Sequence, residues 1–124
     1  MPHSCLIVDD STVIRNVADR ILTTLGMEVR QAETGMEALA QCKQALPDAI
    51  VVDWDLPSED SVELISEMRM HGSDTKRPKI IYLTSEQDIG SMPRAKRAGA
   101  DAFFMKPFDR SQMHAKFREL GLVA

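Results

Sequence analysis

The sequence predicts an α/β fold, a five-stranded parallel sheet with helices on both faces, and three observations carry that prediction. Ile50-Val51-Val52 runs into Asp53 and is stopped by Pro57. A short β-branched run bounded by turn signals is the pattern of a strand buried on both faces, which parallel sheets require. Four further short apolar runs alternate with segments whose apolar residues recur at helical spacing, and such alternation implies right-handed β-α-β crossovers. The strand runs also end in reactive or charged side chains: Asp9-Asp10, Asp53, Thr84-Ser85 and Lys106. In a parallel sheet those ends share one edge, and that edge is where open α/β sheets bind ligands.

Taken in order, residues 5–8 (Cys-Leu-Ile-Val) form the first strand. Ser11 or Thr12 can cap the next helix, in which Val13, Ile14, Val17, Ala18, Ile21, Leu22 and Leu25 give a broad apolar stripe that Gly26 stops. Glu28 to Ala32 is a more polar strand, suited to a sheet edge. Thr34 with Glu37 fits a capping box, and the helix it opens buries Ala38, Leu39, Cys42 and Leu46 before Pro47 ends it. Ala49 to Asp53 is the central strand. Asp60 with Glu63 fits a second capping box, Val62, Leu64, Ile65 and Met68 form the buried side of that helix, and Gly72 closes it.

Residues 73–78 read as a polar loop and Lys79 to Thr84 as the fourth strand. Gly90 and Pro93 disfavour the start of the fourth helix, so only Arg94 to Ala98 reads cleanly before Gly99. Ala102 to Met105 is the fifth strand. Asp109 and Gln112 can cap the last helix, with Met113, Phe117 and Leu120 on one face. No linker, repeat or low-complexity tract interrupts the pattern, so residues 1–124 are expected to form one domain with no output domain of its own.

A hydrophobic content of 44% and a charged content of 27% are those of an ordinary globular protein. No apolar run approaches the roughly 18 residues of a membrane span, and the first residues lack a basic region followed by an apolar stretch, so a cytoplasmic protein without membrane insertion is expected. Cys5 and Cys42 are unclustered and read as small buried hydrophobes in a reduced compartment. The net charge of −4 argues against a general nucleic-acid binder. It is unevenly spread: residues 1–68 carry 13 acids and 4 bases, net −9, and residues 69–124 carry 6 acids and 11 bases, net +5. The first half therefore suits an acidic cation site and the second a basic partner surface, although chance clustering on a solvated surface gives the same tally.

At the shared edge, strand one delivers Asp9 and Asp10, strand three Asp53 and Asp55, strand four Thr84 and Ser85, and strand five Lys106. Neighbouring carboxylates repel unless a cation neutralises them, and an oxygen-only, partly open donor set suits Mg²⁺. A lysine and a hydroxyl nearby can hold phosphoryl oxygens. Asp53, between metal and lysine, is then placed as a covalent phosphoryl acceptor, and positioning of charge is most of what phosphoryl transfer needs.

These residues resemble a response-regulator receiver domain of the CheY-like family. The resemblance is carried across essentially the whole chain by Ile7-Val8-Asp9-Asp10-Ser11, Val51 to Pro57, Leu83-Thr84-Ser85, Ala98-Gly99-Ala100 and Lys106-Pro107-Phe108. It implies a flavodoxin-like, doubly wound (βα)5 fold with strand order 2-1-3-4-5. It implies that Asp53 is phosphorylated by a histidine kinase and that Asp10 and Asp53 hold Mg²⁺, supported by Asp9 and the backbone carbonyl of Asp55. It implies that Thr84 and Lys106 bind the phosphoryl group, that Phe103 is the aromatic switch residue, and that the Lys106-Pro107 bond is cis. On this reading the protein is not an enzyme beyond its own phosphorylation and dephosphorylation.

Two positions depart from the family pattern. Ser61 stands where relatives commonly carry glycine, so that turn is expected to be shaped differently. Asp55 stands where relatives often carry Asn or Met, and its extra charge near the phosphoryl group is expected to tune dephosphorylation. Equal phosphoryl lifetimes in wild type and Asp55→Asn would refute that role.

Plainer readings stand beside these. Phe103 and Trp54 are also ordinary core aromatics, and His3, His71 and His114 read as isolated surface residues. Met36, Met68, Met105 and Met113 read as core gap-fillers. Arg94, Lys96, Arg97, Arg110, Lys116 and Arg118 are either a solvated face or, by the resemblance, part of an α4–β5–α5 docking surface. The leading expectation is a monomeric, stand-alone regulator acting on a separate partner. The stretch Lys116 to Leu122 is similar to short chemotaxis regulators, which favours a flagellar motor switch protein as that partner. A phosphorelay intermediate or phosphate sink is the alternative. A haloacid-dehalogenase-type phosphatase shares the apolar-Asp-x-Asp motif, but there the motif lies on the first strand and is not followed by Leu-Pro.

Overall fold

The computed structural model describes residues 3–57, 59–71 and 76–124. Among these residues the chain forms β1 (Ser4–Val8), α1 (Thr12–Thr24), β2 (Glu28–Ala32), α2 (Gly35–Gln44), β3 (Ala49–Asp53), α3 (Ser61–Met70), β4 (Lys79–Thr84), a 3-10 segment (Glu86–Ser91), α4 (Met92–Ala98), β5 (Ala102–Met105) and α5 (Arg110–Glu119). The five strands make one parallel sheet in the order β2-β1-β3-β4-β5. The fold is the doubly wound α/β type that the strand-and-helix alternation requires.

Strand alternation divides the core in two. Leu6, Val8, Ile50, Val52, Ile80 and Tyr82 face α2, α3 and α4. Cys5, Ile7, Val51, Ile81, Leu83 and Phe104 face α1 and α5, where they meet Ala18, Leu22, Met113 and Phe117. Every residue of β3 is buried. A central strand is covered on both faces, which is why β3 has no polar alternation, whereas edge strand β2 buries only Ala32 fully. Register aligns the carboxyl ends. Val8 pairs with Ala32 on one side and Val52 on the other, Asp53 with Leu83, and Thr84 with Met105.

Several local expectations need correction. The α1 stripe is wider than the surface it covers: Val13 and Val17 are 70% and 43% exposed. They lie one turn apart on the outer flank, and periodicity identifies the apolar side of a helix without measuring how much of it a sheet can reach. Met36 is 78% exposed rather than in the core, because it faces the groove between α2 and α3. Of the three capping boxes only Asp109–Gln112 is complete. Thr34 and Asp60 cap their helices, but Glu37 turns back to the N–H of Glu33. The fourth helical region is a 3-10 segment kinked at Asp88 followed by a seven-residue helix. The stop assigned to Gly72 lies outside the described residues, as do residues 73–75 of the loop after it, and α3 ends at Met70.

The far end of α4 is fixed by Arg69 of α3. Its Nε and Nη2 donate to the carbonyl of Gly99 at 2.9 and 2.6 Å, Nη1 donates to the Pro78 carbonyl at 2.5 Å, and it pairs with Asp101. Gly99 has φ +125°, and a Cβ there would lie 2.7 Å from Arg69 Cγ, so both conformation and space require glycine. Cys5 and Cys42 are buried free thiols, and burial raises the pKa of each.

Candidate functional site

The site is built where β1, β3 and β5 end. Asp9 and Asp53 are 0% and 2% exposed, while Asp10 is exposed at the rim. Ligand atoms of these three carboxylates lie within 4.8 Å of one another. Lys106 Nζ reaches in from the end of β5 to Asp9 Oδ2 and Asp53 Oδ1, 3.0 Å from each. The Lys106-Pro107 peptide bond is cis.

The backbone around these groups is held in place. Asp9 Oδ1 accepts from the N–H of Ser11 at 2.8 Å, and Arg15 Nη1 donates to the Asp9 carbonyl at 2.6 Å. The Trp54 N–H donates to the Leu83 carbonyl and the Lys106 N–H to the Thr84 carbonyl, both at 2.8 Å. Ser61 Oγ donates to the Asp53 carbonyl at 2.6 Å. Glu59 Oε1 accepts from the Gly35 N–H at 2.5 Å, tying the β3–α3 loop to the start of α2. No motif in the sequence marks Arg15, Glu59 or this bond of Ser61. Of the three, only Ser61 left a sequence signal, as a departure from the family pattern.

Burial and the charge of Asp9 push the Asp53 pKa up from 3.8 to about 6, against the pull of Lys106. Burial opposes the Lys106 ammonium, but the hydrogen bonds and charges of Asp53 and then Asp9 outweigh it and raise its pKa. Asp53 is therefore largely ionised at neutral pH but held unwillingly so. Among the described residues, Asp9 Oδ2 and Asp53 Oδ1 have no hydrogen-bond donor besides that ammonium. Buried acceptors left this way fit a hard cation, and the all-oxygen donor set is one that Mg²⁺ uses.

The remaining expected site residues stand around this centre. Thr84 is fully buried one position past Leu83, which pairs with Asp53, and its hydroxyl donates to the Asp88 carbonyl at 3.4 Å. Asp55 is exposed, and its side chain is not in the carboxylate group. Phe103 is half-buried and packs edge-on against Tyr82, with ring centroids 6.2 Å apart. Tyr82 in turn hydrogen-bonds Ser91 at 3.1 Å. Trp54 is half-buried against the core beside Asp53.

A three-carboxylate edge with a lysine, on a β2-β1-β3-β4-β5 sheet, defines a receiver-type signalling domain. The response regulator receiver domain model matches residues 5–118, and the chain belongs to that family. Chemotaxis protein CheY4 of Vibrio cholerae is 31% identical with a TM-score of 0.88, the match covering 96% of this chain and 98% of that one. A CheY-like receiver domain protein of Methanospirillum hungatei is 29% identical at TM-score 0.88, covering 97% and 94%. Response regulator MprA of Mycobacterium sp. (strain KMS) is 33% identical over 97% of this chain, which spans only 51% of that protein. The chain thus covers about half the length of the curated relatives it matches. The family assignment sets the phosphatase reading aside.

Proposed function

We propose that this receiver accepts a phosphoryl group on Asp53 from the phosphohistidine of a histidine kinase and passes the change to a partner at its α4–β5–α5 face. The carrying observation is the pairing of a buried, repelled Asp53 carboxylate with Lys106 3.0 Å away. In the transfer an Asp53 oxygen attacks phosphorus, a P–O bond forms, the P–N bond to the kinase imidazole breaks, and the imidazole takes up a proton. Asp9, Asp10 and Asp53, with the Asp55 carbonyl, would hold Mg²⁺, which when bound neutralises charge on the phosphoryl oxygens. Lys106 would exchange part of its contact with Asp53 for a phosphoryl oxygen. Thr84 would give up the Asp88 carbonyl and turn its hydroxyl to another.

That exchange releases the 3-10 segment, which Thr84 and Ser91 both hold through the Asp88 carbonyl. Phe103 and Tyr82 touch, and Tyr82 bonds Ser91, so a turn of Phe103 is read at the same segment. Lys96, Arg97, Arg110 and Arg118 are exposed on α4 and α5, a charge pattern that suits an acidic partner surface. We take a flagellar motor switch protein as the preferred partner, supported by the similarity to a chemotaxis protein.

Intact mass after incubation with Mg²⁺ and acetyl phosphate tests the chemistry. A gain of one phosphoryl group is expected, lost in EDTA and in Asp53→Asn. No gain in the folded, Mg²⁺-bound protein with either acetyl phosphate or a phosphorylated kinase domain would overturn it. Binding of a motor-switch peptide that strengthens on phosphorylation separates the switch from a phosphate sink, for which it stays unchanged.

A further inference from the structure

Asp53 lies one residue past the end of its pairing with β1, which stops at Val8↔Val52. Its carbonyl instead meets a side chain from the far end of the following loop. Ser61, the first residue of α3, is 3% exposed and donates its hydroxyl to that carbonyl at 2.6 Å. On the other side of the strand, the Trp54 N–H is bound by the Leu83 carbonyl at 2.8 Å. The Asp53–Trp54 peptide is thus held by a main-chain bond from β4 and a side-chain bond from α3. The bond to Ser61 ties the end of β3 to the start of α3.

The loop also has a second anchor, since Glu59 accepts from the Gly35 N–H. A Cβ on Gly35 would lie 2.8 Å from the Glu59 carboxyl carbon and 3.0 Å from Leu64, so a side chain at the start of α2 would push the Glu59 carboxylate aside. Neither anchor touches the reacting carboxylate. Both limit where its backbone can go.

We propose that Ser61 is a positioning residue for the acceptor, its hydroxyl fixing the Asp53 main chain so that the carboxylate is presented to the phosphodonor. Glycine at this position supplies no donor. This chain therefore places by a side-chain bond what relatives with glycine must place by other means. The inference rests on Asp53 being the acceptor. A nucleophile held close to its attack geometry gains rate without gaining affinity, and small misplacements are costly. The effect belongs in the maximal rate of phosphorylation and not in the concentration of donor needed for half of it.

The test compares wild type, Ser61→Ala and Ser61→Gly, each shown to be folded by circular dichroism at the assay temperature. Ser61→Cys, which keeps the volume with only a weak donor, replaces any variant that does not fold. With saturating Mg²⁺ and varied acetyl phosphate, the maximal rate should fall about fivefold with an unchanged half-saturating concentration. Amide hydrogen exchange should quicken in residues 54–57 and stay unchanged in β1 and β4. Variants within twofold of the wild-type rate would overturn the positioning role even if their melting temperatures drop. Unchanged exchange in 54–57 would overturn the tether itself. A wild type inert to both acetyl phosphate and a phosphorylated kinase domain would remove the acceptor reading and with it any role of Ser61 in transfer. The exchange experiment would still report on the tether, so the two failures are told apart.

Discussion

The connection after β3 enters α3 through Asp60, whose carboxylate accepts from the N–H groups of Val62 and Glu63, whereas the connection after β4 enters its 3-10 segment at Ser85 with no side-chain cap. The ten residues of α3 bury Ser61, Leu64, Ile65 and Met68. The 3-10 segment buries nothing and is kinked at Asp88 (φ −119°, ψ 17°), and α4 buries only Ala95. Both connections leave the same edge of the sheet, one strand apart. Elements with few buried contacts and uncapped ends open at low free-energy cost, and moving parts come from that class. The side after β3 thus fixes the proposed acceptor, Asp53, and the side after β4 is free to answer it.

The largest effect should come from charge stored on the fixed side. Asp53 ordinarily ionises near 3.8 and in the fold near 6. A carboxyl whose folded pKa is raised contributes stability that is complete below the unfolded value and is lost as pH rises through the folded one. In EDTA, wild type should therefore lose stability relative to Asp53→Asn between pH 4 and 6.5, by about 3 kcal/mol for a shift of roughly two units. Asp48 and Asp101, whose pKa values are lowered despite partial burial by main-chain hydrogen bonds and neighbouring bases, act in the opposite direction in both proteins and cancel in the difference. Urea midpoints across that range read the effect. A flat difference would mean that Asp53 is not under the strain assigned to it.

Next in size is the clamp that keeps the responsive side from coming away altogether. Arg69 satisfies the carbonyls of Gly99 and Pro78 while paired with Asp101, so α4 is loose where it begins and fastened where it ends. Arg69→Ala leaves those groups without their donor and should cost about 2–3 kcal/mol, with faster amide exchange in 92–98. A loss below about 0.5 kcal/mol, the scale of ordinary surface changes, would place the hold on α4 elsewhere and weaken the contrast.

Much of this contrast is readable in the sequence, and the limits are physical. The bounds of β3, β4 and β5 are legible because short apolar runs end abruptly at acids, hydroxyls or lysine, and β2 is legible as a more polar strand of the kind a sheet edge takes. Gly90 and Pro93 announce the irregular fourth helix. Asp9, Asp10, Asp53 and Lys106 are legible because charged groups at strand ends must converge once the strands are parallel. Arg15, Glu59 and the Ser61 hydroxyl act on main-chain groups outside their own elements, and a bond to the main chain leaves no pattern of residue types at its partner. Val13 and Val17 read as core because spacing gives the direction of a face, whereas its width depends on how α1 packs.

The finest distinction is in the caps themselves. Asp60 Oδ1 takes the Val62 N–H at 2.8 Å and the Glu63 N–H at 3.4 Å, and Oδ2 lies 3.5 Å from Arg94 across to α4. Losing a capping side chain costs about 1 kcal/mol, while an exposed ion pair is worth between nothing and about 1 kcal/mol. Asp60→Ala should lower stability by about 1 kcal/mol. Asp60→Asn, which keeps an accepting oxygen but not the charge, should stay close to wild type if the cap and not the pair to Arg94 matters. Ser85 makes only a 3.4 Å contact with the Asp88 carboxylate and caps nothing, so Ser85→Ala should change stability by less than about 0.5 kcal/mol. Urea denaturation of the three variants measures all of this on one scale. Equal losses in Asp60→Ala and Ser85→Ala would mean that the entrance to the 3-10 segment is as firmly held as that of α3. The free energy of opening on the β4 side would then have to be set by its buried contacts alone.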